Sequence, residues 1–170
     1  MPAVGPTMQG HVDPVALLNV LVKRSPQEVW EFLSDGHRYA EWVVGTREIR
    51  SVDAGWPAEG TCIHYTVGHG PLALADRTTV RNADPPRTLE LEVQAGRLGT
   101  VRVHLEIRRW GEHAVVVMDE HPLSGPGLRL HNVVVEMLLR VRNRRALDRL
   151  AQAVERQDPI ALRAAQAPAD

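Results

Sequence analysis

The chain has 170 residues, of which 44% are hydrophobic and 24% are charged, as expected for a single globular domain. A formal net charge of −1 argues against a general nucleic-acid-binding protein, and a single cysteine excludes an internal disulfide. No apolar run reaches the roughly 20 residues that a membrane span needs. We therefore expect a cytoplasmic protein with neither a membrane span nor a nucleic-acid partner.

Residues 14–157 are predicted to form the domain, between a disordered N-terminal tail at 1–13 and a C-terminal tail at 158–170. The N-terminal tail is rich in Gly, Pro and small residues, which rarely build a core. The domain begins with Val15–Lys23, a continuous apolar run whose length and Val and Leu content predict a buried strand.

Two short helices are predicted after this strand. Ser25, Pro26 and Glu28 occupy the N-cap, first and third positions of a capping box, which predicts a helix start. His37–Val43 can form a second short helix.

The apolar pattern then changes to period two, which is typical of strands in an antiparallel sheet with one covered face. Thr100–Arg109 shows it most clearly, with Val101, Val103, Leu105 and Ile107 expected to point inward. The predicted strands are Arg47–Val52, Thr61–Val67, Leu72–Arg81, Thr88–Val93, Thr100–Arg109 and Ala114–Glu120.

The last long segment, Leu128–Arg156, contains no Gly or Pro and predicts a helix that covers the sheet. Leu147, Leu150, Ala151 and Val154 share one face at helical spacing and are expected to contact the sheet. The fold class is therefore α+β.

A second apolar stripe, Val134, Leu138 and Val141, points to the opposite side of a straight helix. One interpretation is a kink. The other is an outward stripe that suits a homodimer, with Asn132, Glu136 and Asn143 facing the interior.

These elements and several segments resemble the START-like helix-grip superfamily (SRPBCC), which includes polyketide cyclase/dehydrase-like and lipid-transfer proteins. The segments are S-P-Q-E-V-W-E-F-L-S-D, H-Y-T-V-G-H-G-P-L, N-A-D-P-P-R-T-L-E-L and H-N-V-V-V-E-M-L-L-R-V-R-N-R-R-A-L-D-R-L. The resemblance implies a curved antiparallel sheet of six to seven strands wrapped around the C-terminal helix, with two short helices after strand 1. It also implies a deep cavity for a small hydrophobic or amphipathic ligand, but no fixed catalytic motif.

His64 is the first candidate for chemistry. If the turn Gly68–Pro71 is centred near Gly70, His64 lies across the ladder from Asp76, and a carboxylate orients a histidine and raises its basicity. The alternative is that Ile63, Tyr65 and Val67 take the inner face and leave His64 in water.

Other polar candidates lie where the cavity is expected, at the end of the last strand and on the terminal helix. They are Glu120, His131, Asn132, Glu136 and Asn143. Trp42, Tyr39 and Tyr65 are candidate walls of the pocket. We expect no metal and no cofactor, because the histidines lack metal-ligand spacing and the chain has no Gly-rich phosphate loop.

The leading functional hypothesis is a carrier or sensor that binds a small hydrophobic ligand. One alternative is a polyketide cyclase/dehydrase-type enzyme, a lyase or isomerase without a cofactor, that uses His64 and Asp76 as general base. The other is a protein-interaction module that uses the outward stripe of the helix.

Overall fold

The computed structural model describes residues 17–68, 73–94, 99–124 and 133–157. Both predicted tails, 1–13 and 158–170, lie outside these ranges. The chain begins with strand β1 (Leu18–Val22), helix α1 (Pro26–Ser34), a 3₁₀ turn (Gly36–Arg38) and the short helix α2 (Tyr39–Trp42). Six strands and one long helix follow: β2 (Thr46–Val52), β3 (Cys62–Val67), β4 (Leu74–Asp84), β5 (Thr88–Gln94), β6 (Thr100–Trp110), β7 (His113–Pro122) and α3 (Val133–Glu155).

The seven strands form one antiparallel sheet in the order β1-β7-β6-β5-β4-β3-β2. Strands β2 to β7 pair with their neighbours in sequence, as hairpins do, and β1 joins the far edge beside β7. The predicted α+β helix-grip fold is confirmed.

Helix α1 begins at the predicted capping box. The Ser25 hydroxyl accepts a hydrogen bond from the Glu28 backbone N–H at 3.3 Å, and the Glu28 carboxylate accepts one from the Ser25 N–H at 2.8 Å. These contacts satisfy N–H groups that have no partner inside the helix. Val29 and Phe32 of this helix are buried in the core.

The inner face of the sheet is the face that α3 and the two short helices cover. Alternate residues of each strand point to it, and the inward set predicted for Thr100–Arg109 includes the buried Val103, Leu105 and Ile107. Leu147, Leu150 and Val154 of α3 are fully buried, which confirms that this side of the helix contacts the sheet.

The outward stripe of α3 is described only in part. Helix α3 is continuous from Val133 to Glu155, and Met137 and Val141 on it are 58% and 44% exposed. The side chains of Val134 and Leu138 lie outside the described residues, so a homodimer through this stripe stays a prediction. Within the described part of the chain, no helix is both long and apolar enough to cross a membrane.

The prediction of a buried first strand is wrong for one face of β1. Leu17 and Leu21 are 60% and 45% exposed, whereas Val22 is fully buried. β1 is an edge strand that pairs only with β7, so only its inward residues contact the core.

Candidate ligand-binding site

A mainly apolar cavity lies between the inner face of the sheet and helices α2 and α3. Its volume is about 70 Å³. Its apolar walls include Trp42 from α2, Leu91 from β5, Val103 from β6 and Met118 from β7. This volume is well below the roughly 300–1,000 Å³ of pockets for drug-sized ligands. In the part of the chain that the structure describes, the cavity is therefore smaller than the deep cavity that the resemblance implies.

The register of three strands places the cavity walls beside one polar residue. Leu91 lies opposite Val103, and Val103 lies opposite Glu120. Residues directly opposite each other in an antiparallel sheet point to the same face. Glu120 therefore projects from the last strand into the same space as the apolar side chains, as its predicted role requires.

Two residues of α3 donate hydrogen bonds to the carboxylate of Glu120, whose side chain is only 12% exposed, and Arg142 also compensates its charge. The Arg142 guanidinium donates to both carboxylate oxygens, at 2.9 and 3.1 Å, and the Asn143 side-chain amide donates to one of them. Arg142 also donates a hydrogen bond to the side-chain carbonyl oxygen of Asn143, at 3.3 Å. We call Glu120, Arg142 and Asn143 the acid–amide cluster. Its hydrogen bonds explain why the sheet-facing side of α3 contains a buried asparagine.

A second polar group lies on the inner face beside α2. The Thr78 hydroxyl is 2.7 Å from the Tyr39 hydroxyl and 3.0 Å from the Tyr65 hydroxyl. All three side chains are buried, and Tyr39 lines the cavity beside Trp42, with the two ring centroids 5.5 Å apart. We call these residues the hydroxyl cluster.

Burial raises the pKa of Tyr65 and raises the pKa of Tyr39 well above its usual value, and the nearby Tyr65 raises that of Tyr39 further. The cause is that a buried phenolate loses its hydration. These are the only tyrosines in the chain, so its tyrosine absorbance reports on the hydroxyl cluster alone.

The folded chain is therefore expected to show no tyrosinate absorbance step near pH 10, where unperturbed tyrosine titrates. The step should appear only at higher pH, together with unfolding, because ionisation stabilises the unfolded chain relative to the folded one. An absorbance titration at 295 nm, with the chain in denaturant as control, measures this. A tyrosinate step near pH 10 in a chain that is still folded by circular dichroism would contradict it.

The predicted pair of His64 and Asp76 is wrong. His64 lies opposite Arg77, and Asp76 lies opposite Tyr65. The hairpin of β3 and β4 is thus centred half a residue beyond Gly70. Each residue of β3 pairs one position further along β4 than predicted, which puts the side chains of His64 and Asp76 on opposite faces of the sheet. His64 points to the outer face, as the alternative interpretation stated, because Ile63 and Tyr65 take the inner one.

Asp76 instead lies on the inner face, beside the hydroxyl cluster. Burial raises the pKa of its carboxyl group, although the Arg77 N–H donates a hydrogen bond to it and acts in the opposite direction. The folded chain thus holds this proton more tightly than the unfolded chain.

Stability should therefore fall as the pH rises through the pKa of an unfolded aspartate, about 3.9, towards the raised pKa of Asp76. Asp76→Asn removes this titration, so the variant should gain melting temperature relative to the original chain between pH 3 and pH 7. Thermal unfolding followed by circular dichroism at stepped pH measures the difference. A difference in melting temperature between the two chains that stays constant from pH 3 to pH 7 would show that Asp76 contributes nothing to the pH dependence of stability.

The remaining predicted site residues fall into three groups. Trp42, Glu120 and Asn143 line the cavity. Tyr65 is buried and contacts Thr78. His131 and Asn132 lie outside the described residues, and Glu136 lies in α3 without a described side chain.

Sequence reasoning missed Arg142 and Thr78 as site residues. Arg142 belongs to an arginine-rich stretch of α3, a composition that is typical of a solvated helix face, although it directly precedes the inward-facing Asn143. Thr78 had one usable signal, a polar residue at an inward position of β4 two residues before the buried Val80. No group of three or more His, Cys, Asp or Glu side chains in the described ranges is arranged to hold a metal ion.

Solved structures with the same fold share little sequence with this chain. Ara h 8.0201 is 11% identical with a TM-score of 0.61, and the match covers 81% of this chain and 95% of that one. CalU16 from Micromonospora echinospora is 18% identical with a TM-score of 0.54, covering 88% and 80%. DynU16, a putative protein in the dynemicin biosynthetic locus, is 21% identical with a TM-score of 0.60, covering 84% and 48%. At these identities the likeness shows the fold alone.

A search of curated proteins gave no significant match. The family described as polyketide cyclase/dehydrase and lipid transport matches residues 18–155, which is most of the chain and spans every strand and helix from β1 to α3. The chain therefore belongs to the polyketide cyclase/dehydrase and lipid transport family.

Proposed function

We propose that this protein is a carrier or sensor that binds a small, mainly apolar ligand in the cavity between the sheet and α3. The observation that carries the proposal is the juxtaposition of apolar walls with the acid–amide cluster. Apolar walls bind by excluding water, and a few polar groups orient the ligand. Membership of a family that includes lipid transport supports this function.

The cavity volume of about 70 Å³ favours a small ligand, because one water molecule alone needs at least roughly 10–15 Å³ of such space. Small alcohols and ketones are therefore suitable probes.

The acid–amide cluster favours a ligand that carries a hydrogen-bond donor. Among the described residues, Glu120 Oε1 accepts one hydrogen bond, from Arg142, and a carboxylate oxygen has lone pairs for a second. A ligand hydroxyl can donate to this oxygen while its hydrocarbon part contacts Val103 and Met118. We therefore infer an amphipathic ligand with a donor at this end.

Cyclopentanol combines a hydroxyl group with an apolar ring of suitable size. In methyl NMR spectra titrated with cyclopentanol, the expected shifts are at the Leu91, Val103 and Met118 methyl groups. Leu17 and Leu21, which are exposed at the edge of the sheet, provide the internal control. Shifts confined to the two exposed leucines, or no saturable shift at all, would contradict binding in the cavity.

The enzyme alternative loses its stated basis in this structure. It required His64 and Asp76 to act as a pair, and the two side chains point to opposite faces of the sheet. A general base must lie within hydrogen-bond reach of the proton that it removes, so an outward-facing His64 cannot serve a ligand in this cavity.

A further inference from the structure

A row of exposed side chains runs along the side of α3 that faces away from the sheet. Met137, Val141, Arg145 and Arg149 follow one another at intervals of four residues, so they are neighbours on the helix surface and span about 18 Å. Met137 and Val141 are 58% and 44% exposed, and both arginines are exposed. We call these residues the outer row. It combines an apolar half with a basic half.

The positive charge of this part of α3 is not balanced locally. Residues 137–154 include five arginines and one acidic residue, Asp148, whereas the whole chain has a net charge of −1. Asp148 pairs with Arg144 at 3.5 Å, and the acid–amide cluster uses one more arginine. Among the described residues, Arg145 and Arg149 have neither an ion pair nor a side-chain hydrogen bond. Their charge is therefore available to an anionic partner.

The apolar half of the outer row decides which kind of anionic partner fits. A nucleic acid would pair with the arginines but leave Met137 and Val141 in water. A second copy of the chain, bound through the same row, would bring like charges to the contact. An anionic bilayer suits both halves, because its headgroups carry negative charge and the boundary with the acyl chains accepts apolar side chains.

We propose that the outer row is a docking site for an anionic lipid bilayer, with its arginines at the headgroups and its two apolar side chains in the boundary with the acyl chains. The contact is peripheral and involves no membrane span. The opposite side of the same helix turns includes Asn143, which lines the cavity. Docking therefore brings the cavity within about one helix diameter, roughly 10–12 Å, of the bilayer surface. The inference goes beyond the proposed function and needs no ligand in the cavity.

Sedimentation with lipid vesicles tests this docking site. The original chain should bind vesicles of phosphatidylcholine mixed with anionic phosphatidylglycerol but not vesicles of phosphatidylcholine alone, and added salt should weaken the binding by screening the charges. The double variant Arg145→Gln, Arg149→Gln should lower the partition coefficient by roughly tenfold to thirtyfold, because each arginine near an anionic surface contributes to binding. Glutamine is a good helix former, so the variant should fold, which circular dichroism checks.

The double variant Arg47→Gln, Arg50→Gln is the matched control. Both arginines are exposed on β2, at the opposite edge of the sheet from β1, and the variant loses the same charge. Its partition coefficient should stay close to that of the original chain. A second measurement reports on the apolar half. Nanodiscs that contain a gadolinium-chelating lipid should broaden the Met137 methyl NMR signal more than those of Leu21, which points to the outer face of the sheet.

The outcomes separate this inference from the proposed function. No binding of the original chain to the mixed vesicles, equal losses for the two double variants, or a Met137 signal broadened no more than those of Leu21 would overturn it. Binding of a DNA duplex, or formation of a dimer, that requires Arg145 and Arg149 in a chain that does not bind vesicles would also overturn it. None of these results bears on the cavity, because the cyclopentanol titration uses no lipid. Vesicle binding that requires anionic lipid and these two arginines supports the inference.

Discussion

Leu150→Ala is expected to lower the free energy of unfolding by about 2–5 kcal/mol, as measured for large-to-small substitutions in well-packed cores. Leu150 is fully buried on the side of α3 that contacts the sheet, between Leu147 and Val154. The antiparallel sheet cannot bury its inner face alone, so the contact of α3 with it is essential to the fold. Urea denaturation followed by circular dichroism measures the loss.

Met137→Ala is the matched control on the same helix. Met137 is 58% exposed, and alanine is a strong helix former, so its substitution should change the unfolding free energy by less than about 0.5 kcal/mol. Equal losses for the two variants would show that α3 is not anchored on the sheet by the Leu150 side.

Val103→Phe is expected to weaken cyclopentanol binding at least tenfold. Val103 forms part of the cavity wall and lies opposite both Leu91 and Glu120. A phenyl group in place of the isopropyl group occupies much of the cavity's volume of about 70 Å³. The ligand and the new ring then compete for one volume, and the NMR titration should show little or no saturable shift.

Val117→Phe is the control for this substitution. Val117 is on the outer face of β7, opposite Glu106 and Asn19, so the same change in volume leaves the cavity intact. The dissociation constant of cyclopentanol for the Val117→Phe variant should match that for the original chain. Unchanged affinity in a folded Val103→Phe variant would exclude this cavity as the site.

Local sequence patterns predicted most of the fold because each is set by nearby residues. The capping box needs only Ser25 and Glu28, and the inward set of β6 follows from strict alternation. Leu147, Leu150 and Val154 followed from helical spacing. The exception is β1, whose apolar run predicts a buried strand although Leu21 points to the uncovered outer face of the sheet.

The candidate site was less predictable because it depends on the register between strands. The predicted pair of His64 and Asp76 depends on where the turn after Val67 is centred, and a shift of one residue in the pairing of β3 with β4 exchanges the inner and outer faces. Residue composition around the turn does not fix that centre. Apolarity did favour the correct face, since Ile63 and Tyr65 are both buried.

Contacts between distant parts of the chain were the least predictable. Glu120 and Asn143 were expected near the cavity, but the Arg142 contact to Glu120 joins residues separated by 22 positions. The hydroxyl cluster likewise joins α2 to β3 and β4. Neither group has a sequence motif, because side chains from separate elements meet only once the sheet and helices have packed.

The most direct test of the ligand site is the measurement of intermolecular nuclear Overhauser effects between bound cyclopentanol and the methyl groups of the chain. Cross-peaks to Val103 and Met118, which line the cavity from the neighbouring strands β6 and β7, are the predicted result. Cross-peaks only to exposed side chains such as Leu17 and Leu21, in a chain that is folded, would contradict a ligand site between the sheet and α3.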